Sequence, residues 1–115
     1  MAEEIAPGSS GEASGKYLLL ARVYAAQGRF AEALQEDRAA AAAMPDSATP
    51  LLQLATHAQS AGHFGDAVAA LEQACPLPGV DRAGCERQLL RARELEKADE
   101  EAARQKAIDR LVEPR

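Results

Sequence analysis

The chain has 115 residues and a net charge of −5, from 13 Lys plus Arg against 18 Asp plus Glu. That length suits one domain with a single core, and the acidic balance leaves no basic stripe to follow a phosphate backbone, which argues against nucleic acid as a partner. Apolar residues make up 47% of the chain but aromatics only 3%, with no Trp, so the core must be built mainly from Ala and Leu and its helices must approach closely.

Residues 1–14 combine Gly, Ser and Pro with three carboxylates and one large aliphatic, Ile5, a linker composition that predicts a flexible segment ahead of a helical domain over 15–115. Glu3 and Glu4 stand where a secretory signal would need cations, and no apolar run follows them. Nor does any stretch approach the roughly 20 apolar residues that span a bilayer. The chain reads as soluble, with no membrane insertion; its compartment stays open.

From Ser14 the pattern becomes helical. Tyr17, Leu20, Ala21 and Tyr24 recur at i, i+3, i+4 and i+7 on one face. Gly28 ends this helix, since Gly closes a helix in the left-handed conformation without a Cβ penalty. A second helix over about Phe30 to Met44 is carried by Ala33, Leu34, Asp37, Ala40 and Ala41 and stopped by Pro45. The short turn between the two makes them antiparallel neighbours. Ser47 or Thr49 caps a third helix; with Thr49 as cap, Pro50 takes the first helical position, where its missing N–H costs nothing. Its stripe is Leu51, Leu54, Ala55 and Ala58, and Gly62 ends it. Phe64, Ala67, Val68, Leu71 and Ala74 carry the fourth helix, with Pro76 as its stop.

These elements are an internal repeat. Gly28 to Leu34 superimposes on Gly62 to Val68, and Ala40 matches Ala74 at the same interval. A fixed period of roughly 34 residues marks a supersecondary unit that must stack on its neighbours to bury its apolar face. One further period beyond Gly62 stands Glu96, and 85–113 contains neither Gly nor Pro. The third unit therefore reads as one helix within 83–113, up to roughly 29 residues and roughly 40 Å long. From Glu86 onward it holds eight acids and eight bases, with Glu94–Lys97 and Glu100–Arg104 at helical neighbour spacing. Leu89, Leu90, Ala92 and Leu95 should cap the second repeat. Ala98, Ala102, Ala103, Ala107, Ile108, Leu111 and Val112 overhang it as an apolar strip that offers an assembly surface, centred on Ala102, Ile108 and Leu111, for a homodimer. A solvated charged helix with a frayed end is the alternative.

The motif residues resemble the tetratricopeptide repeat family. Repeat one, 14–47, has Tyr17, Leu20, Ala21, Tyr24, Gly28, Phe30, Ala33, Ala40 and Pro45 in the family's order, with Asp37 where a large apolar residue is usual. Repeat two, 48–81, keeps Leu51, Leu54, Ala55, Gly62, Phe64, Ala67 and Ala74, but has Ala58 in place of an aromatic and a displaced closing Pro, at Pro76 or Pro78. The resemblance implies an all-α fold, two antiparallel hairpins in a right-handed stack, with the long last helix as cap. It also implies a concave groove, lined by the first helix of each pair, that binds a peptide or another protein's helix. Leu18, Arg22, Ala25 and Ala26 should face that groove from the first helix, and Leu52, Gln53, Thr56, Gln59 and Ser60 from the third. The family's Lys and Asn clamp for a terminal carboxylate is absent, since Leu18, Arg22 and Gln53 occupy its places. Arg22 is then the groove's one fixed cation, able to take a ligand carboxylate or simply to pair with a neighbouring helix or solvent. Two repeats are fewer than a free-standing stack usually needs, which leaves a dimer, or an accessory role in a larger protein, as further readings.

Cys75 and Cys85 flank a loop bent by Pro76, Pro78, Gly79 and Gly84. A disulfide, suited to an oxidising compartment, and two free thiols are both compatible with that spacing. His57 and His63 lack metal-ligand spacing to each other or to the cysteines and read as solvated or locally hydrogen-bonded. No nucleophile, base and orienting group form a unit, and no phosphate-binding Gly loop is present. The sequence thus predicts a protein-binding scaffold without catalysis, cofactor or metal.

Overall fold

The computed structural model describes residues 9–112, so most of the segment read as flexible lies outside the described residues. It is all-α: α1 (Ser9–Ala26), α2 (Phe30–Ala43), α3 (Ala48–Ser60), α4 (Phe64–Ala74) and α5 (Arg82–Val112). Each helix packs antiparallel on the next in chain order, and α1 touches α3 lightly. The helix α1 begins at Ser9, earlier than the periodicity places it, and Ser14, read as its start, is buried inside it with Oγ donating to the Ala40 carbonyl at 3.2 Å.

The backbone repeats as the sequence does. α1 and α3 end one period apart, at Ala26 and Ser60, and α2 and α4 begin one period apart, at Phe30 and Phe64. Gly28 and Gly62 make the two turns with φ of 76° and 79°, values that a residue with a Cβ adopts only with strain. Neither Arg29 nor His63 caps the following helix with its side chain. In the first turn of α2, the carboxyl of Glu32 is held below the usual range by its own backbone N–H and then by the Arg29 guanidinium. Ser47, not Thr49, is the N-cap of α3; its Oγ accepts from the Thr49 N–H, so Pro50 lies inside the first turn rather than at its first position.

Small residues let the helices close up. Ala21 and Ala55, Ala33 and Ala67, and Ala40 and Ala74 are pairs one repeat apart, and all are buried. Leu34, Leu51, Leu54 and Leu71 fill the space between them. Tyr17, Tyr24, Phe30 and Phe64 are only half-buried, and Arg29 lies over the Tyr24 ring at 4.7 Å from its centroid. Leu20, expected on the packed face of α1, is 43% exposed.

The third unit starts as a repeat and then departs from one. Asp81 stands one repeat period after Ser47 and likewise accepts a backbone N–H, from Gly84, at the head of its helix. From there α5 continues for 31 residues straight through Glu96, which lies over Gly65 at the start of α4. Cys85 and Ala92 are buried against α4, with Leu89 and Leu95 half-buried; Leu90, expected in this cap, is exposed. The expected pairs Glu94–Lys97 and Glu100–Arg104 do not close to ion-pair distance; Arg93 instead bridges to Glu72 on α4 at 2.8 Å, and Arg82 to Glu86 at 3.8 Å.

The Cys75–Cys85 disulfide fastens the end of α4 to the first turn of α5, with Cα atoms 5.5 Å apart and both cysteines buried. Replacing Cys75 and Cys85 by Ser should lower the unfolding free energy by about 3 kcal/mol, the chain-entropy value for so short a loop. Urea denaturation with and without reductant checks this, and reductant should not affect the variant.

Candidate binding surface and the buried polar join

Two features stand out at the α2–α3 contact and along the outer side of α3. The first is polar and buried. Asp37 faces inward from α2 and is fully buried, although nothing else on that face of α2 is charged. Burial of a carboxylate is costly unless it is hydrogen-bonded, and α3 supplies the partners. Gln53 Nε2 donates to Asp37 Oδ1 at 2.8 Å and also to the Leu18 carbonyl of α1 at 3.0 Å. His57 Nδ1 lies 2.6 Å from Asp37 Oδ2, close enough to require one proton between them. The join thus ties α1, α2 and α3 together, and among the described residues no buried side-chain nitrogen or oxygen lacks a partner.

Gln53, read as a groove residue, is therefore half-buried and engaged within the protein. His57, read as solvated or locally bonded, is buried against another helix. A signal for this was present in the sequence. An Asp on an apolar helical face demands a partner, and Gln53 and His57 stand at i and i+4, on one face of the next helix.

Burial pushes the Asp37 carboxyl above its ordinary range, against the opposing pull of the Gln53 and His57 hydrogen bonds and, more weakly, of Arg38. The folded chain keeps that proton to higher pH than the unfolded chain does. This group therefore favours folding below the ordinary carboxylate range, and the contribution is lost as pH rises through to the raised value.

The second feature is open. Leu52 and Gln59 are half-buried and Thr56 is exposed on the outer side of α3, with Thr56 Oγ1 donating to its own helix at the Leu52 carbonyl. On α1, Leu18 and Ala25 are half-buried and Arg22 and Ala26 exposed. Leu52 also lines a hollow of about 310 Å³ between the first turns of α3 and α5, with Thr49 on one wall, Gly84 and Gln88 on the other, and Val80 and the disulfide-bonded Cys85 beside them. Asp81 is the one ionisable group lining it. Of the expected groove set, then, Leu18, Arg22, Leu52, Thr56 and Gln59 stay at the surface, and Gln53 is withdrawn.

His63 sits in the α3–α4 turn with Nδ1 3.5 Å from Asp66. Among the described residues no group of His, Cys, Asp and Glu is arranged to hold a metal ion, and no helix is long and apolar enough to cross a membrane. Comparison with protein-family models, with curated proteins and with solved structures finds no match to this chain.

Two measurements test the join. Gln53→Leu leaves the Asp37 and Leu18 acceptors short of a donor and should cost about 1–3 kcal/mol in urea denaturation. Asp37→Asn keeps both partners, because its oxygen can accept from Gln53 and its amide can donate to His57. The stability of the wild type minus that of Asp37→Asn should then fall as pH rises from about 3 to about 7; a flat difference would mean that Asp37 titrates as it does in the unfolded chain.

Proposed function

We propose that this chain is a non-catalytic protein-binding scaffold of the tetratricopeptide type, in which α1, α3 and the first turns of α5 line one groove that takes an extended peptide or a partner's helix. The observation that carries this reading is the outer stripe of α3. Among the described residues the side chains of Thr56 and Gln59 bind no other helix, Leu52 lines a hollow of about 310 Å³, and all three belong to a backbone that repeats with the period of the sequence. Hollows of this size lie at the small end of those that receive side chains or ligands. Apolar contact at Leu52 and Leu18 would supply affinity, with Thr56, Gln59 and Arg22 selecting polar groups on the ligand. With Gln53 bound to Asp37, the polar selection falls to fewer residues than the resemblance alone implies.

The proposal is tested by selecting displayed peptides against the full chain. Leu52→Ser should weaken the selected peptides at least about tenfold, and Arg22→Ala should weaken those bearing a carboxylate and flatten their salt dependence. If the selected peptides bind both variants as they bind the wild type, the groove is elsewhere.

A second reading, self-association, is favoured by a separate observation: Ile108, Leu111 and Val112 on α5 are exposed, Leu111 by 85%. Large apolar side chains left in water at one end of a small protein hint at an interface. A role as an accessory domain of a larger protein is compatible with either reading.

A further inference from the structure

The internal repeat shows what is missing from the outer face of α1. Lys16, Leu19, Leu20 and Val23 stand one repeat period before Pro50, Gln53, Leu54 and His57. On α3 those positions are closed off by α2: Leu54 joins Leu34 in the core, and Gln53 and His57 bind Asp37. No helix precedes α1 in the described residues, and there Leu19 is 57% exposed, Leu20 43% and Val23 44%. Where α3 carries polar groups matched to Asp37, α1 carries aliphatic ones. Its open face is thus fitted to an antiparallel helix with a narrow, small-residue ridge, as α2 is to α3.

The same chain carries a helix with no neighbour. Beyond Glu96 every residue of α5 through Val112 is exposed. The apolar residues of this overhang do not form the single strip expected from their number. At about 100° per residue, Ala98 and Ala102 point one way, while Ala103, Ala107 and Leu111 form a ridge at i, i+4 and i+8 on another side, flanked by Ile108. The overhang from Lys97 to Val112 reaches about 24 Å, and the open face of α1 from Lys16 to Ala26 needs about 16 Å.

Charge agrees with this pairing at its Arg22 end, where the register sets carboxylates on the cation, while Lys106 comes level with Lys16 at the other. Lys16 and Arg22 are the only ionisable cations or anions among residues 13–26 apart from the two tyrosines, so α1 presents no carboxylate there. The overhang opens with Asp99, Glu100 and Glu101 in a row, and among the described residues none of the three is in an ion pair. In an antiparallel pairing these carboxylates come to the half of α1 that carries Arg22.

We propose that the uncovered face of α1 is the docking site for the α5 overhang of a second copy of this chain. The two copies are related by a two-fold axis, and each inserts its overhang along the other's α1. α1 and α5 lie at opposite ends of the order of packing, and the overhang runs past the stack, so two copies satisfy both faces at once and the assembly closes. This deepens the self-association reading and is independent of the groove.

The test is sedimentation equilibrium of the full chain and two variants: Leu20→Glu, at an exposed position, and a chain lacking residues 98–115, each checked for helix content by circular dichroism. The wild type should be dimeric and loosen with salt, and each variant should weaken the dimer at least about tenfold. An equimolar mixture of the two variants should recover a weaker heterodimer, because one intact α1 face and one intact overhang remain. If Leu20→Glu dimerises as the wild type does, pairing does not use α1 and the inference fails, although self-association survives. A wild type that is monomeric at every concentration overturns both.

Discussion

The buried carboxylate of Asp37 is the constraint around which the two hairpins are set. A helix pair built from Ala and Leu can slide on its neighbour with little change in buried area, because apolar contact is non-directional. A carboxylate with no access to water cannot slide, since each of its oxygens must keep its partner. Gln53 and His57 hold the two oxygens from one face of α3, and Gln53 carries the connection on to the Leu18 carbonyl of α1. The register of α2 on α3 is thereby fixed by hydrogen bonds at the point where an aliphatic residue would have given adhesion without direction. The same join decides what the outer surface can offer, because it removes Gln53 from the groove side of α3.

The rest of the architecture follows from small residues and two closures. Ala at matching positions of successive hairpins permits close backbone approach, so a chain with 3% aromatics still packs a core. At one end the core is closed by α5, which begins in the phase of a third repeat, runs straight where a Gly would have turned it, and is locked to α4 by a disulfide. At the other end α1 is left with aliphatic side chains at positions that α3 buries. Open at one end and overlong at the other, the chain is asymmetric in a way that a second copy can resolve.

Much of this was legible in the sequence because it depends on local backbone chemistry. Gly28 and Gly62 end helices for conformational reasons that hold in any context, the repeat period sets the hairpins, and the lack of Gly and Pro over 85–113 makes one long helix. Spacing alone leaves the disulfide open, since a separation of 10 suits both a bridge and two thiols. Pairing across helices was harder to see. Periodicity gives the face on which a residue lies but not the partner it meets, so by itself it sets Gln53 in the groove and His57 in solvent or a local hydrogen bond, and leaves Asp37 an exception without a cause. Leu20 and Leu90 show the complementary limit: a Leu in a helical stripe is buried only if a neighbouring element arrives to cover it. The α5 overhang shows a third, for a count of apolar residues says nothing of whether they share a side.

A double-mutant cycle between Asp37 and His57, with Asp37→Ala, His57→Ala and the pair compared by urea denaturation, tests the central claim most directly. The account predicts strong coupling, with the double variant more stable than the sum of the two losses implies by at least about 1 kcal/mol. Each single change strands a buried polar group that the double change removes. Additive losses would contradict it, and would mean that apolar packing alone sets the hairpins together.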